Sequence, residues 1–314
     1  MISALGNKDL EELNKINIEI LNLTKEFKTV EIANAIMTKF PPKKNFLAAS
    51  SRYGATVEIL KSVDQVNEWC NAKTHGKIQK ILDSLSPETF MVLLNAVYFK
   101  GKWYEEFDKR NTEKKIFYNC NDKSKAKEVE RMSIQKKFPY YSDNELQIVE
   151  IPYQKDSMSC IIILPNKNKN INEIISEMTD DTIQLLIERM NTINEIYLSL
   201  PKFELEFESY LNDVLSKLGI HDAFKKKLAD FSEMQEEEII YINEVIQKAY
   251  LKVDEEGTEA AAVTATETIH ITSCDYKPKT IIPFIIDRPF LFLIRNRKMP
   301  KNYEMLFMSK IELL

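Results

Sequence analysis

Apolar residues along the chain follow two different periodicities, which predicts a mixture of helices and strands. Residues 9–23 (DLEELNKINIEILNL) place leucine or isoleucine every three or four positions, the spacing of one helix face. Residues 29–37 (TVEIANAIM) alternate apolar and polar side chains, as a half-buried strand does. The segment 63–82 returns to helical spacing, and Gly76 marks a helix end or start inside it.

Longer apolar runs further along the chain predict buried strands. Residues 89–99 (TFMVLLNAVYF) are almost continuously apolar, which favours a strand buried on both faces. Further strands are predicted at 146–153, 159–165, 195–207, 245–253 and 283–294, and a helix at 171–190. Because these elements do not alternate regularly, the pattern predicts an α+β fold with large antiparallel or mixed sheets. No repeat, low-complexity tract or linker interrupts it, so we expect a single domain over residues 1–314.

Composition and charge exclude several classes of partner. The chain has 43 basic and 48 acidic residues, scattered through the sequence, and a formal net charge of −5, which argues against nucleic acid as a partner. It contains no uncharged run of eighteen apolar residues, so we expect no membrane span. Its first residues lack the pattern of a signal peptide, which taken alone favours the cytoplasm.

The residue types that carry catalysis are sparse. With only 6 glycines, the chain has neither a GxGxxG nor a GxxxxGK phosphate loop, and it has neither GxSxG nor HExxH. The histidines are His75, His221 and His270, and the cysteines, none in a CxxC pair, are Cys70, Cys120, Cys160 and Cys274. We therefore expect no enzyme activity, no catalytic residue, no metal and no cofactor, and we expect free thiols rather than disulfides.

One segment does not fit an ordinary loop or core strand. Residues 254–274 (DEEGTEAAAVTATETIHITSC) follow the strand predicted at 245–253 and precede the last apolar block. Gly257 offers the backbone freedom of a hinge, and the small and β-branched residues after it could enter a sheet between two strands. On these residues alone, a short helix over 259–263 (EAAAV) is the alternative reading.

This segment and several ordered motifs together resemble the serpin family of serine protease inhibitors. The motifs are VNEWCNAKTHGKIQKIL (66–82), LLNAVYFKGKWYEEFDKRNTEKKIF (93–117), LQIVEIPYQKDSMSCIIILP (146–165) and FIIDRPFLFLI (284–294). The resemblance covers residues 9–314 and implies the serpin fold, with three β-sheets, surrounding helices and an exposed reactive-centre loop at about 255–282. Residue 9 corresponds to the fourth helix of the family, so the resemblance also implies an N-terminally truncated chain.

The resemblance implies a mechanism as well. Serpins are suicide substrates: a protease cuts the loop and forms an acyl-enzyme, and the loop then inserts into the central sheet. The hinge that begins this insertion would be Glu255, Glu256, Gly257, Thr258, Glu259, Ala260, Ala261 and Ala262. The region where the sheet opens would include Asn95, Trp103 and Gln247, although the family usually has histidine at the position of Gln247. Glutamine can still donate and accept hydrogen bonds there.

Two counts place the scissile bond differently. Fourteen positions beyond Gly257, where the family pattern puts the bond, lies Ile271, with Thr272 after it. Counting back from the RPF block gives Lys277 or Pro278 instead. We adopt the first count because the length of the inserted strand constrains the mechanism. An aliphatic residue at the bond indicates an elastase-like or chymotrypsin-like serine protease rather than a trypsin-like one.

The resemblance leaves a second function open. A non-inhibitory binding protein with the same fold, or an inactive truncated relative, is the alternative to an inhibitor. In either case we expect a monomer. The family resemblance implies an extracellular protein, whereas the present N-terminus taken as authentic implies a cytoplasmic one.

Overall fold

The computed structural model describes residues 9–26, 30–154, 157–236, 239–258, 280–299 and 303–314. Its helices are α1 (Leu10–Glu26), α2 (Lys44–Arg52), α3 (Val63–Lys73), α4 (Ile171–Glu177), α5 (Asp180–Arg189) and α6 (Asn212–Lys217). Its strands are β1 (Val30–Thr38), β2 (Ala55–Ile59), β3 (Met91–Phe99), β4 (Gly101–Lys102), β5 (Glu113–Tyr118), β6 (Ala126–Lys136), β7 (Tyr140–Ser142), β8 (Leu146–Pro152), β9 (Met158–Pro165), β10 (Glu195–Pro201), β11 (Phe203–Tyr210), β12 (Glu244–Val253), β13 (Gly257–Thr258), β14 (Ile281–Ile285), β15 (Phe290–Asn296) and β16 (Met305–Ile311).

The chain divides into two compact units. One comprises Met1–Phe99 and Glu204–Leu251, and the other comprises Lys100–Phe203 and Lys252–Leu314. Each unit has its own sheets, and each is built from two stretches of the chain. The expectation of a single domain over residues 1–314 stays a prediction.

The first unit is organised around a five-stranded sheet with the order β11-β12-β3-β1-β2. Strands β1 and β3 are antiparallel, whereas β3 and β12 are parallel and pair directly from Val92↔Glu244 to Tyr98↔Tyr250. One face of β3 packs beneath α3, because every second residue of the strand is apolar and buried. This core cluster includes Val66, Trp69, Cys70, Val92, Leu94, Ala96, Tyr98 and Ile246.

The opposite face of β3 is less buried than its apolar sequence predicts. Leu93, Asn95 and Val97 are only half-buried, so the expectation of a strand buried on both faces is wrong for β3. On the neighbouring strand, the side chain of Ile32 is exposed. The polar residue Asn95 lies in the middle of this face and interrupts its apolar surface.

The second unit contains a four-stranded sheet, β14-β10-β6-β5, a five-stranded sheet, β16-β15-β9-β8-β7, and a two-stranded ladder of β13 and β4. Every residue of β9 is buried, as its continuous apolar run predicts. Helices α4 and α5 cover the five-stranded sheet through Ile171, Ile174 and Ile183. The expected α+β class with three large sheets is therefore confirmed.

Two predicted helices are shorter than their periodicity indicates. The helix predicted over 63–82 ends at Lys73, because His75 and Gly76 have positive φ angles of 52° and 80°. Beyond them, the Asn67 side chain accepts hydrogen bonds from the backbone of Ile81 and Leu82, at 2.8 and 3.0 Å, and holds that segment out of a helix. The helix predicted over 171–190 is broken into α4 and α5 by the N-cap at Thr179.

Candidate functional site

The predicted hinge leaves β12 through a tight turn in the second unit. Asp254 and Gly257 exchange backbone hydrogen bonds of 2.9 and 3.3 Å, and β13 then pairs antiparallel with β4. Gly257 has φ of 149°, and a Cβ atom there would lie 2.1 Å from the carbonyl oxygen of Gly101. The turn therefore requires glycine at this position, for space as well as for conformation.

Trp103 holds the same turn from the other side. Its side chain is fully buried and stacks on Tyr153, with ring centroids 4.6 Å apart. The indole Nε1 donates to the carbonyl of Asp254 at 2.9 Å, and the backbone N–H of Trp103 donates to the carbonyl of Glu256 at 3.1 Å. The large apolar ring gives the turn a rigid base, and the two hydrogen bonds fix where the hinge begins.

The carboxylate of Glu255 is buried at this turn and is satisfied by two side chains. The Thr112 hydroxyl donates to its Oε1 at 2.7 Å, and Lys202 Nζ lies 3.1 Å from the same oxygen. Burial raises the pKa of Glu255, but these hydrogen bonds and the charge of Lys202 outweigh it and leave the pKa below its ordinary value. Glu255 is therefore ionised at neutral pH and ties the hinge to two other segments of the unit.

Removing the cation from this pair should destabilise the hinge. The Lys202→Met variant is expected to lose about 1–3 kcal/mol of unfolding free energy at pH 7, since the buried carboxylate of Glu255 loses one of its two side-chain partners. The pair stabilises above the pKa of an unfolded glutamate, about 4.3, and its contribution is lost as pH falls through the lower pKa of the folded state. Urea unfolding of both proteins at pH 7 and at about pH 3 should show the difference shrink at the lower pH.

Lys109→Met is the matched control, because Lys109 pairs with the neighbouring Glu256 but its side chain is 66% exposed. Its stability should change little. Equal losses in the two variants, or a loss in Lys202→Met that does not depend on pH, would contradict the assigned role of Glu255.

The predicted sheet-opening residues Asn95 and Gln247 meet in the first unit. Gln247 Nε2 donates to Asn95 Oδ1 at 2.9 Å, and Asn95 Nδ2 donates to Asn34 Oδ1 at 2.8 Å. The three residues are register neighbours on β12, β3 and β1. Gln247 thus makes the cross-strand hydrogen bond for which its side chain is suited, and Asn34 completes a chain that we did not anticipate from the sequence. Trp103, which we grouped with them, lies in the second unit and binds the hinge turn.

Further side chains fasten β12 to its surroundings. Lys248 lies 3.0 Å from carboxylate oxygens of both Glu206 and Glu208 on β11, and it also donates to the backbone carbonyl of Lys80. The side-chain oxygen of Asn243 accepts from the backbone N–H groups of Phe90 and Met91, at 2.7 and 3.2 Å. These contacts were not anticipated. A strand entering between β3 and β12 would have to break those of Asn243, whereas the ion pairs of Lys248 with Glu206 and Glu208 lie on the other side of β12.

The family model described as "Serpin (serine protease inhibitor)" matches residues 3–312. The chain belongs to the serpin family. Intracellular coagulation inhibitor 2 of Tachypleus tridentatus is 38% identical over 238 residues that make up 75% of this chain and 56% of that protein. Serpin B8 of Homo sapiens is 36% identical over 74% of this chain and 62% of its own length. The matched part of this chain thus spans less than two thirds of the length of each of these two relatives.

Solved serpin structures are similar to this chain over nearly its whole length. The native state of the thermophilic serpin tengpin is 31% identical, with a TM-score of 0.85, and the match covers 98% of this chain and 80% of that one. Human thyroxine-binding globulin complexed with thyroxine is 25% identical, with a TM-score of 0.86 and coverage of 99% and 84%. The serpin fold expected from the sequence is therefore confirmed.

Most of the predicted reactive-centre loop lies outside the described residues of this serpin. That holds for hinge residues Glu259, Ala260, Ala261 and Ala262 and for the predicted scissile pair, Ile271 and Thr272. The alternative bond positions, Lys277 and Pro278, lie outside them as well. The described part of the hinge is Glu255–Thr258, and the chain is described again from residue 280.

The described part of this serpin offers few groups for other chemistry. Within it, no three His, Cys, Asp or Glu side chains are grouped so as to hold a metal ion. Among the same residues, no helix has the length and apolar character needed to cross a bilayer. Cys70, Cys120 and Cys160 are free thiols, as expected, and burial raises the pKa of Cys70 to about 11.

Proposed function

We propose that this serpin inhibits a serine endopeptidase as a suicide substrate, and that it is not itself an enzyme. The protease would cut the loop, form an acyl-enzyme and be trapped when the cut loop enters the five-stranded sheet of the first unit. The observation that supports this most is the direct pairing of β3 with β12, followed by a small-residue tract that begins at Gly257. The place for a new strand and the residues suited to fill it are adjacent along the chain.

The energy balance favours insertion once the loop is cut. An added strand of roughly ten residues gains on the order of ten ladder hydrogen bonds, each contributing about 1 kcal/mol net. Against this stand the side-chain contacts of Asn243 and Gln247 with β3 and the residue before it, which are few and individually of similar size. An uncut loop is tethered at both ends and cannot add a full strand, so the cut itself releases the insertion.

The alternative is a serpin that binds a ligand or partner without trapping a protease. The thyroxine-binding globulin neighbour supports this alternative at the level of the fold. The hinge favours the inhibitor, because its sequence after Gly257 is Thr-Glu-Ala-Ala-Ala, with neither proline nor a bulky residue. An inactive relative is the other alternative, and the half-buried face around Asn95 is what supports it.

Incubation with chymotrypsin, pancreatic elastase and trypsin tests the proposal. We expect the inhibitor to be a monomer. It should form an SDS-stable complex with chymotrypsin or elastase that contains one inhibitor chain and one protease. N-terminal sequencing should show that the released C-terminal fragment begins at Thr272, because the aliphatic side chain of Ile271 fits the substrate pockets of these proteases. A fragment that begins near residue 278 would show that the bond at Lys277 is the reactive one, and the absence of any stable complex would contradict inhibition.

A further inference from the structure

The second unit contains a cavity of about 160 Å³ that the proposed mechanism does not use. We call it the donor cavity. Four separate segments of the chain build its walls, and their polar side chains include Cys120, Lys169, Asn170, Asn172, Arg288 and Glu312. Since one molecule of liquid water occupies about 30 Å³, the cavity has room for a phosphate or carboxylate group with a few further atoms.

Arg288 is the buried cation of the donor cavity, with only 7% of its surface exposed. Its Nε donates to the backbone carbonyl of Pro165 at 2.8 Å, and its Nη1 donates to the carboxylate of Asp287 at 2.7 Å. Its Nη2 makes no hydrogen bond with any described residue. A guanidinium carries five N–H donors and binds oxyanions strongly, so this wall holds buried donors that the fold leaves unused.

Two asparagines add further donors, because their oxygen atoms are already engaged. Asn170 Oδ1 accepts from the backbone N–H of Asn172 at 2.8 Å and thereby caps α4. Asn172 Oδ1 accepts from Lys310 Nζ at 2.9 Å. The Nδ2 group is therefore the unused end of each amide, and neither donates to another described residue.

The charged groups of the walls also favour an anion. Of the described wall residues, only Glu312 is acidic, and Lys310 pairs with its carboxylate at 2.9 Å. Lys169 pairs with Glu145 at 2.7 Å, but its ammonium carries three donors and one contact leaves the others available. Unused donors thus gather around the cavity, whereas its carboxylate already has a cation.

We infer that the donor cavity binds a small oxyanion, a phosphate or a carboxylate group. Arg288 Nη2 and the amide nitrogens of Asn170 and Asn172 donate to its oxygens, and Lys169 adds a positive charge. The bound anion joins the start of α4 to the segment that precedes β15. This inference is independent of the proposed function, because the hinge and the central sheet contribute no residue to these described walls.

Cys120 reports whether the cavity is occupied, since its exposed thiol is part of the wall whereas Cys70 and Cys160 are buried. Inorganic phosphate or acetate, added at constant ionic strength, should slow the alkylation of Cys120 by iodoacetamide about tenfold at ten times its dissociation constant. Peptide mass spectrometry measures the rate at this cysteine alone. The two anions tested separately show which oxyanion the site prefers, and no protection by either at about 10 mM would overturn the inference.

Isosteric variants test whether the protection comes from the assigned donors. Asn170→Asp and Asn172→Asp keep the oxygens that cap α4 and bind Lys310, so both should fold. Each places a carboxylate against the anion and should weaken protection by phosphate at least about tenfold. Asn168→Asp makes the same charge change at an exposed residue of this loop outside the described walls, and it should keep the wild-type affinity within about twofold.

Two outcomes of this comparison would contradict the site. Equal protection of the wild type, Asn170→Asp and Asn172→Asp would show that these amides do not contact the anion. An equal loss in all three variants, Asn168→Asp included, would show a long-range effect of charge instead of a built site. Thermal unfolding of each variant without phosphate checks that the folded state is retained.

Discussion

Replacing Arg295 by alanine is expected to lower the free energy of unfolding by about 3–5 kcal/mol, the cost of leaving a buried charge without its partner. Arg295 on β15 makes a bidentate contact with Glu150 on β8, with Nη2 2.9 and 3.0 Å from the two carboxylate oxygens. Both residues are nearly inaccessible, at 7% and 4% relative exposure. Ser159, on the intervening strand β9, donates to the same carboxylate. Urea unfolding followed by tryptophan fluorescence would measure the loss.

Two further variants test whether the loss of stability comes from the burial of the charged groups. Arg110→Ala removes an arginine that pairs with Asp108 but is 88% exposed, so its stability should stay close to that of the wild type. Arg295 Nη1 also lies 3.7 Å from the buried carboxylate of Glu304. The triple variant Glu150→Gln, Arg295→Met, Glu304→Gln therefore replaces all three charges and should recover much of the loss. A loss in the triple variant as large as in Arg295→Ala would mean that packing, not the buried charge, explains the effect.

A single cut within residues 259–279 should raise the melting temperature by more than about 20 °C, since insertion adds on the order of 10 kcal/mol and each 1 kcal/mol is worth a few degrees. Thr258→Arg should abolish this rise and let the protease turn the chain over as a substrate. An arginine on the first inserted position would have to bury its charge unpaired if that position faces the core.

Glu259→Arg is the matched control for the hinge. Successive residues of a strand point to opposite faces, so an arginine at 259 should point to the solvated face when 258 points to the core. It should keep both the thermal rise and the inhibition. If the two arginine variants behave alike, the hinge does not enter the sheet in the assumed register.

The sequence predicted those parts of the fold that depend on local patterns. The alternation at 29–37 and 245–253 predicted β1 and β12, and Gly257 marked the hinge turn that the 2.1 Å approach to Gly101 explains. The helix predicted over 63–82 failed beyond Lys73, because Asn67 offers the backbone of Ile81 and Leu82 a competing acceptor. No periodicity encodes such a side-chain contact.

The candidate site was predicted only in part for the same reason. Gln247 and Asn95 were placed by resemblance, and their hydrogen bond is present. Thr112 and Lys202, which satisfy Glu255, are far from it in sequence and carry no local signal of their role. Asn34 was visible only as a polar residue in an otherwise alternating strand. Contacts between distant segments require the three-dimensional arrangement.

The most direct measurement is the melting temperature of the wild-type chain before and after one proteolytic cut in residues 259–279. The account predicts that the cut chain, with both fragments retained, melts far above the intact one. A cut chain that melts at the same temperature as the intact chain, or below it, would contradict the claim that the loop becomes a strand of the sheet.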